Sequence, residues 1–433
     1  MTADALVAVM DGTAIGTVVR EPSGRLRFDY ADAWRRHSDA VPLSLSMPLV
    51  RATHPHAVVD AFLWGLLPDN EQILARWSRQ FHVSARNAFG LLAHIGVDCA
   101  GAVQFVPIER LPALQKQVAD DIEWLDEAEI GERLRALRQD PSATRRATDH
   151  GQFSLSGAQP KTALLRRDGH WGVPAGRTPT THILKPPAAT FDGHAENEHF
   201  CLALARQLGL PVAQSEVHRF DGEPAIVVTR FDRIEHEGRL LRVHQEDLCQ
   251  ALAVPPTRKY QNDGGPGPLA IIDVLRTHSS APSHDVKTFI DALAFNWLIA
   301  GTDAHAKNYA LLFGRGGRIR LAPLYDLGSA LPYPTLRQDK LAMAMKIGNT
   351  YRLRDIRRHH WESLLRDARA DGETAIACIL TMAEALPDHA SDLARRMRED
   401  GLDHPILQGL PDLLADSARE KSRRLVQRPG HGD

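Results

Sequence analysis

Between positions 296 and 329 the chain reads NWLIAGTDAHAKNYALLFGRGGRIRLAPLYDLGS. Asp303 and Asn308 stand in it as D-x-x-x-x-N, and Asp326 follows 18 residues after Asn308. These residue types suit phosphoryl transfer from ATP. One carboxylate accepts or orients the proton of an incoming hydroxyl, while an amide and a second carboxylate hold Mg²⁺ on the phosphates. Mg²⁺ is a hard cation that prefers oxygen ligands, which Asn and Asp supply.

The elements that must position these groups are legible around them. Residues 286–299 are apolar at helical spacing and run up to Gly301, a helix stop. Residues 309–313 and 318–321 read as two strands, with Gly314, Arg315, Gly316 and Gly317 as the turn between them. Such a hairpin returns the chain beside Asn308, and leaves Asp326 within ~10 Å at roughly 3.3 Å per residue.

With 433 residues the chain is long enough for two or three domains and a sizeable core. Its 52 basic and 54 acidic side chains give a net charge of −2. That balance supplies no global attraction to nucleic acid, so any such contact must use a local patch. Cys99, Cys201, Cys249 and Cys378 are far apart and form no C-x-x-C. They read as reduced thiols of a cytoplasmic protein. The opening MTADALVAVMDG lacks a basic n-region and a long apolar core, so no secretory signal is expected. No apolar run approaches the ~20 residues a membrane helix needs.

In chain order, residues 6–10 and 14–19 flank Asp11-Gly12 as a hairpin. P-L-S-L-S-M-P-L at 42–49 alternates as a half-buried strand does. Helical spacing covers 61–79, broken at Pro68-Asp69-Asn70, and again 85–95. Strand character returns at 101–106. Residues 1–107 thus read as an α+β unit, and 108–150 as a connector in which Asp126 caps a helix over 127–138. Residues 139–150 read as a loop.

Small residues at 153–162, F-S-L-S-G-A-Q-P-K-T, let main-chain N–H groups approach an anion, although the spacing is neither a Walker A nor a G-x-G-x-x-G. Lys185 ends a strand at 181–185 and can reach nucleotide phosphates. A helix at 196–208 follows; its Glu198 can pair with Lys185 or serve as a first-turn acid. A strand at 225–228 leads into Thr229, Arg230, Phe231 and Asp232, where a hinge between lobes would pass an adenine ring. From His244 onward the spacing is mainly helical apart from the hairpin, with helices at 361–370, 373–385 and 390–398. The Gly/Pro loop at 259–268 is expected to serve near the active site, with no physical account of how from the sequence. The basic tail Arg419, Lys421, Arg423, Arg424 and Arg428 reads as a solvated face.

Taken in order, S-L-S-G-A-Q-P-K-T, H-I-L-K-P-P, R-F-D-R, H-Q-E-D-L-C-Q-A-L, K-Y-Q-N-D-G-G-P-G, G-T-D-A-H-A-K-N and L-Y-D-L-G-S resemble the HipA family of serine/threonine kinase toxins. P-L-S-L-S-M-P-L and L-L-P-D-N extend the resemblance over nearly the whole chain. It implies an α+β, two-lobed, protein-kinase-like fold with an extra N-terminal α+β subdomain and a mainly helical C-terminal lobe. The implied division is 1–107, the 108–150 connector, an N-lobe at 151–243 and a C-lobe at 244–433.

The resemblance also implies ATP and Mg²⁺ as cofactors. Asp303 would be the proton acceptor, and Asn308 and Asp326 the Mg²⁺ ligands. Lys185 would bind phosphates, and Ser156, Gly157, Ala158, Gln159, Pro160 and Lys161 would form the phosphate loop. Thr229, Arg230 and Phe231 would line the adenine pocket, with His305, Ala306, Lys307 and Tyr325 completing the nucleotide site. Ser154 matches the serine that the family autophosphorylates, and Ser156 offers a second hydroxyl. Pro160 stands where some family members carry Glu, and Thr229 where the best-known form does. Implied partners are a HipB-like helix-turn-helix antitoxin, operator DNA mainly through that antitoxin, and an aminoacyl-tRNA synthetase as substrate, chiefly the glutamyl enzyme. Arg366 and Arg369 fall where a DNA-facing pair would lie, or on a solvated helix face. Two other readings remain: a small-molecule phosphotransferase on the same fold, and a non-catalytic DNA-bound corepressor.

Overall fold

The structure, a computed structural model, describes residues 4–116, 121–144, 153–187 and 191–427. Two compact units are each assembled from separated stretches of chain. The first comprises Met1–Ala188, His218–Arg258 and Ala310–Ile319; the second comprises Ala189–Val217, Lys259–Tyr309 and Arg320–Asp433.

The first unit begins with a sheet of β1 (Ala5–Met10), β2 (Thr13–Arg20), β3 (Leu26–Tyr30), β4 (Thr53–His54) and β5 (Val103–Pro107), ordered β4-β3-β2-β1-β5. The β1–β2 turn puts both Asp11 and Gly12 at positive φ, as a two-residue hairpin of matching twist requires. Helices His56–Gly65, Glu71–Phe81 and Ala88–Ile95 share its core, which includes Leu6, Phe28, Phe62, Phe89 and Phe105. Asn70 and Asn87 cap the second and third of these helices.

The P-L-S-L-S-M-P-L stretch is not the expected strand. It is a turn closed by a Ser44–Met47 bridge. Its polar groups are committed to the H-Q-E-D-L-C-Q-A-L segment. The Ser44 and Ser46 hydroxyls donate to the Gln250 carbonyl, and the Leu45 N–H donates to Glu246 Oε1 at 2.8 Å.

A second sheet in this unit contains β6 (Asp121–Leu125), β7 (Thr162–Arg167), β8 (His170–Ala175), β9 (His182–Lys185), β10 (Ser215–Phe220) and β11 (Glu223–Thr229), ordered β10-β11-β9-β7-β8-β6. Helix Glu127–Gln139 starts in an Asp126/Glu129 capping box and buries Ile130 and Leu134 against Leu164, Trp171 and Phe220. A ribbon of β12 (Arg233–His236) and β13 (Arg239–Arg242) follows, then β14 (His244–Asp247), which pairs with β15 (Ala310–Gly314); β16 (Arg318–Leu321) lies on the other side of β15. Of the expected loop at 139–150, residues 145–150 lie outside the described residues.

Among its described residues the second unit is mainly helical, with a small ribbon of β17 (Ala342–Ile347) and β18 (Thr350–Arg352). Its helices are His194–Gln207, Pro268–His278, Pro282–Ile299, Arg358–Asp367, Gly372–Glu399 and Ile406–Val426. The two helices expected at 373–385 and 390–398 are one, with Pro387 inside. Ile376, Ile379, Ala383, Leu386, Ala390 and Leu393 stay buried in helical register through that proline, so tertiary packing overrides the local break. The described residues contain no helix long and apolar enough to cross a membrane.

Candidate active site

Helix Pro282–Ile299 delivers the reactive segment, and both of its ends are fixed. Near its start, the buried Asp285 carboxylate accepts from Arg320 Nη2 (2.9 Å), the Leu321 N–H (2.9 Å) and the Ser279 hydroxyl (2.6 Å). Burial alone would raise this carboxyl, but the hydrogen bonds from Arg320, Ser279 and Leu321 outweigh it and hold Asp285 below the usual carboxylate range.

At the other end, Ala300 takes the left-handed conformation with φ 54°. The Gly301 N–H returns to the Asn296 carbonyl at 2.7 Å and the Ala300 N–H to that of Trp297 at 3.2 Å, a Schellman closure. Glycine is needed at 301 for space: an added Cβ would stand 2.3 Å from Asn296 Oδ1.

The last carbonyls of an α-helix have no partner within it. Here Lys421 Nζ donates to the Trp297 carbonyl at 2.5 Å, the Ser417 hydroxyl to Leu298 at 2.7 Å, and the Ser329 hydroxyl to Ile299 at 2.6 Å. Lys421 is therefore not part of a solvated basic face. It is 4% exposed, and burial pulls its ammonium down to about 7. Arg419 and Arg423 are exposed as expected, while Arg428 lies outside the described residues.

Past the helix, the Asp303 carbonyl accepts both the His305 N–H and Asn308 Nδ2, each at 2.8 Å. The Asn308 N–H closes onto the His305 carbonyl at 2.9 Å. His305, Ala306 and Lys307 are buried in this turn, whereas the Asp303 side chain is 71% exposed. The Tyr325 hydroxyl donates to the Lys307 carbonyl at 2.6 Å, and Asp326 is the next residue in the chain. Asp326 has φ 53°, a conformation that non-glycine residues adopt only where their surroundings hold it. Three residues on, Ser329 is held from both sides of its main chain: Asn197 Nδ2 donates to its carbonyl (2.8 Å), and its N–H donates to Asn197 Oδ1 (3.1 Å). Asp303 and Asn308 are thus joined on one turn, and the Tyr325 side chain is bonded to that turn at Lys307.

Tyr260 joins them without having been singled out by its sequence. Its hydroxyl donates to Asp303 Oδ1 at 2.5 Å, and its ring meets His305 edge-on at 4.9 Å. The only local signal was the concentration of glycine in K-Y-Q-N-D-G-G-P-G, which marks a shaped loop but not its purpose.

In the other unit, Lys185 is the buried last residue of β9, and β9 pairs with β11 from Lys185–Ile226 to His182–Thr229. The 154–161 loop is seated on L-L-P-D-N. Ser154 is 0% exposed; its hydroxyl donates to the Leu66 carbonyl at 2.7 Å and its N–H to that of Asp98 at 2.8 Å. The Asp69 N–H donates to the Gly157 carbonyl and Asn70 Nδ2 to that of Ala158. Lys161 Nζ turns back onto the Ser156 carbonyl at 2.8 Å, and Gly157 takes φ 103°, where a side chain would also strike that ammonium. Ser156, Gln159 and Pro160 are half-buried.

The guanidinium of Arg230 does not face a ligand. It bonds Asp232 (2.9 Å), the Thr180 hydroxyl (2.9 Å) and the Cys99 carbonyl (2.9 Å) in a buried cluster that also contains Asp98, Arg233 and Arg242. Burial would raise the Asp98 carboxyl, but Arg233, Arg230 and Arg242 drive it far below the carboxylate range. R-F-D-R is therefore a clamp onto residues 98–101, and the Arg230 guanidinium is committed to it. Thr229 and Phe231 flank it at the end of β11. Arg366 and Arg369 are both exposed, the first in the last turn of helix Arg358–Asp367 and the second just beyond it.

An exposed aspartate stands on a fixed turn that Asn308 closes, and these residue types suit phosphoryl transfer. Comparison with known proteins agrees. Residues 6–106 match the family model described as the HipA N-terminal domain, and residues 153–390 the one described as the HipA-like C-terminal domain. Y4mE of Sinorhizobium fredii, which bears the name of a kinase, is 36% identical over 97% of this chain and 96% of its own length. The serine/threonine-protein kinase toxin HipA of Shewanella oneidensis is 30% identical over 74% of this chain and 76% of its own length. A chain from the complex of Shewanella oneidensis HipA with HipB and operator DNA has the same fold, with a TM-score of 0.83 at 23% identity, covering 97% of this chain and 98% of that one. The chain belongs to the HipA family, and it is a kinase.

Proposed function

We propose that this kinase transfers the γ-phosphate of ATP to a serine or threonine hydroxyl of another protein, as the toxin of a toxin–antitoxin module. The observation that carries the reading is the turn from Asp303 to Asn308, tied by Tyr325 to Asp326. Asp303 is the proton acceptor, and its exposed carboxylate is open to a protein-borne hydroxyl. Asn308 commits its Nδ2 to the Asp303 carbonyl, so its amide oxygen is the end that remains for a cation. Together with the Asp326 carboxylate that makes an all-oxygen pair, which fits Mg²⁺. Asn308 and Asp326 would hold the ion, whose charge would offset that of the nucleotide phosphates. Lys185, the 156–161 loop and the main chain around Thr229 and Phe231 are assigned to the nucleotide; His305, Ala306, Lys307 and Tyr325 shape the turn that carries the ligands.

Self-phosphorylation at Ser154 is the proposed off-switch. The Ser154 hydroxyl is buried on the Leu66 carbonyl, so the loop must leave L-L-P-D-N before the hydroxyl can react. A phosphate of roughly −1.5 to −2 charge could not return to that site. Ser156, less buried, is the second candidate. The proposed substrate is an aminoacyl-tRNA synthetase, the glutamyl enzyme first. The proposed partner is a HipB-like helix-turn-helix antitoxin that carries most contacts to operator DNA, with Arg366 and Arg369 assigned to DNA phosphates. The Shewanella oneidensis relative, solved with HipB and operator DNA, supports that partner class.

The test is phosphoproteomics after brief induction of wild type and Asp303→Asn. New phosphoserine or phosphothreonine on a synthetase, present only with wild type, is expected. Rapid ADP release driven by sugars or aminoglycosides, with no labelled protein, would favour a small-molecule phosphotransferase instead.

A further inference from the structure

The K-Y-Q-N-D-G-G-P-G loop is built with more care than a connection needs. The Asp263 and Gly265 N–H groups both donate to the Tyr260 carbonyl, at 3.0 and 2.9 Å. Gly264 takes φ 83° to allow that turn. Gln261 Oε1 accepts the Lys346 N–H of β17 at 2.7 Å. Gly267 packs so closely on Gln261 that an added Cβ would stand 2.3 Å from its amide nitrogen. These contacts fix the main chain of residue 260 itself. What they aim is a phenol: its hydroxyl is 2.5 Å from Asp303 Oδ1, and its ring is set edge-on against the buried His305.

The Asp303 main chain is already held, because its carbonyl accepts the His305 N–H and the Asn308 amide. Its side chain is 71% exposed, and His305 Nε2 lies 4.0 Å from the same Oδ1, beyond hydrogen-bond reach. A proton acceptor works only when its carboxylate is held in the reacting geometry, and a loosely held one loses much of its effect. We infer that Tyr260 is the positioning residue of Asp303: it holds Oδ1 so that the other carboxylate oxygen meets the acceptor hydroxyl. The inference rests on the kinase reading of Asp303. Tyr260 itself touches neither the nucleotide nor the acceptor in this scheme, so its loss should appear in turnover and not in ATP binding.

Tyr260→Phe keeps the ring against His305 and removes one hydroxyl. Hydrogen bonds to charged groups are strong enough that kcat for Mg-ATP-dependent ADP release should fall roughly ten- to a hundredfold. The KM for ATP should stay within about twofold, since the lost contact is made to the acceptor side. In an Asp303→Asn background the same change should have no further effect, because its route runs through that carboxylate. If Tyr260→Phe turns over at the wild-type rate while Asp303→Asn is dead, the inference falls and the kinase reading stands. It falls equally if Tyr260→Phe slows both backgrounds by the same factor, or raises the KM for ATP with kcat unchanged. Full turnover by Asp303→Asn would overturn the role of Asp303, and that of Tyr260 with it.

Discussion

The 154–161 loop and the 296–309 segment are held in opposite ways. The loop is attached to L-L-P-D-N by a few bonds made largely to main-chain groups, from Ser154, Asp69 and Asn70. Leu155 is its buried apolar contact, packed with Phe153 and Ala163. The reactive segment leaves a helix whose terminal carbonyls are satisfied by buried donors: Lys421, Ser417 and Ser329. Removing a partner from a buried acceptor costs far more than breaking a bond that water can replace. The segment proposed to do the chemistry is held by buried donors at its helix end, and the loop proposed to hold phosphates is buried at Ser154 and Leu155 and half-buried at Ser156, Gln159 and Pro160.

The largest effect should come from breaking the fixed side. Asn197→Ala strips both the N–H and the carbonyl of buried Ser329 of their partner, and should cost about 3 kcal/mol in urea unfolding. A loss of a few tenths would mean that the segment is not anchored as described. Next, Ser154→Asp places a charge where a buried hydroxyl sat. Hydrogen exchange should accelerate at 154–161 and not at 296–309, and ATP affinity should fall roughly tenfold or more. Equal acceleration in both segments would erase the contrast.

A pH experiment probes the seat of the first unit. Burial pushes the Glu246 carboxyl up to about 8, so it is protonated in the fold at neutral pH. A raised folded value gives stability that is complete below the ordinary value of 4.5 and lost as pH rises through about 8. Wild-type Tm should therefore fall from pH 5 to 9 relative to Glu246→Gln, which keeps an acceptor for the Leu45 N–H. Parallel profiles would contradict the assignment. The smallest effect belongs to Asn70→Ala, which removes a helix cap and the contact to Ala158. It should cost about 1 kcal/mol and loosen the loop alone.

What could be read from the sequence was whatever local chemistry encodes. The helix at 286–299, the strands at 309–313 and 318–321 and the strand ending at Lys185 follow from periodicity and glycine, and all are present. What escaped depends on distant partners. Arg230 meets Asp98 across 132 positions and Tyr260 meets Asp303 across 43, and no spacing rule joins such pairs. P-L-S-L-S-M-P-L alternates like a strand, but its serines serve Gln250, about 200 residues away. Helix Ile406–Val426 was legible in principle, since Leu407, Leu410, Leu414, Ala418, Lys421 and Leu425 recur every three or four residues. The lysine in that row disguised a buried position as a solvated one.

The central claim is that Asp303 accepts the proton of a hydroxyl that receives phosphate from ATP. Incubating the chain with Mg²⁺ and γ-labelled ATP, as wild type and as Asp303→Asn, tests it most directly. The account predicts phosphate transfer by wild type and a loss of roughly 10²–10⁴ in rate for the variant, with nucleotide binding intact. A variant that binds ATP and labels protein as fast as wild type would contradict it.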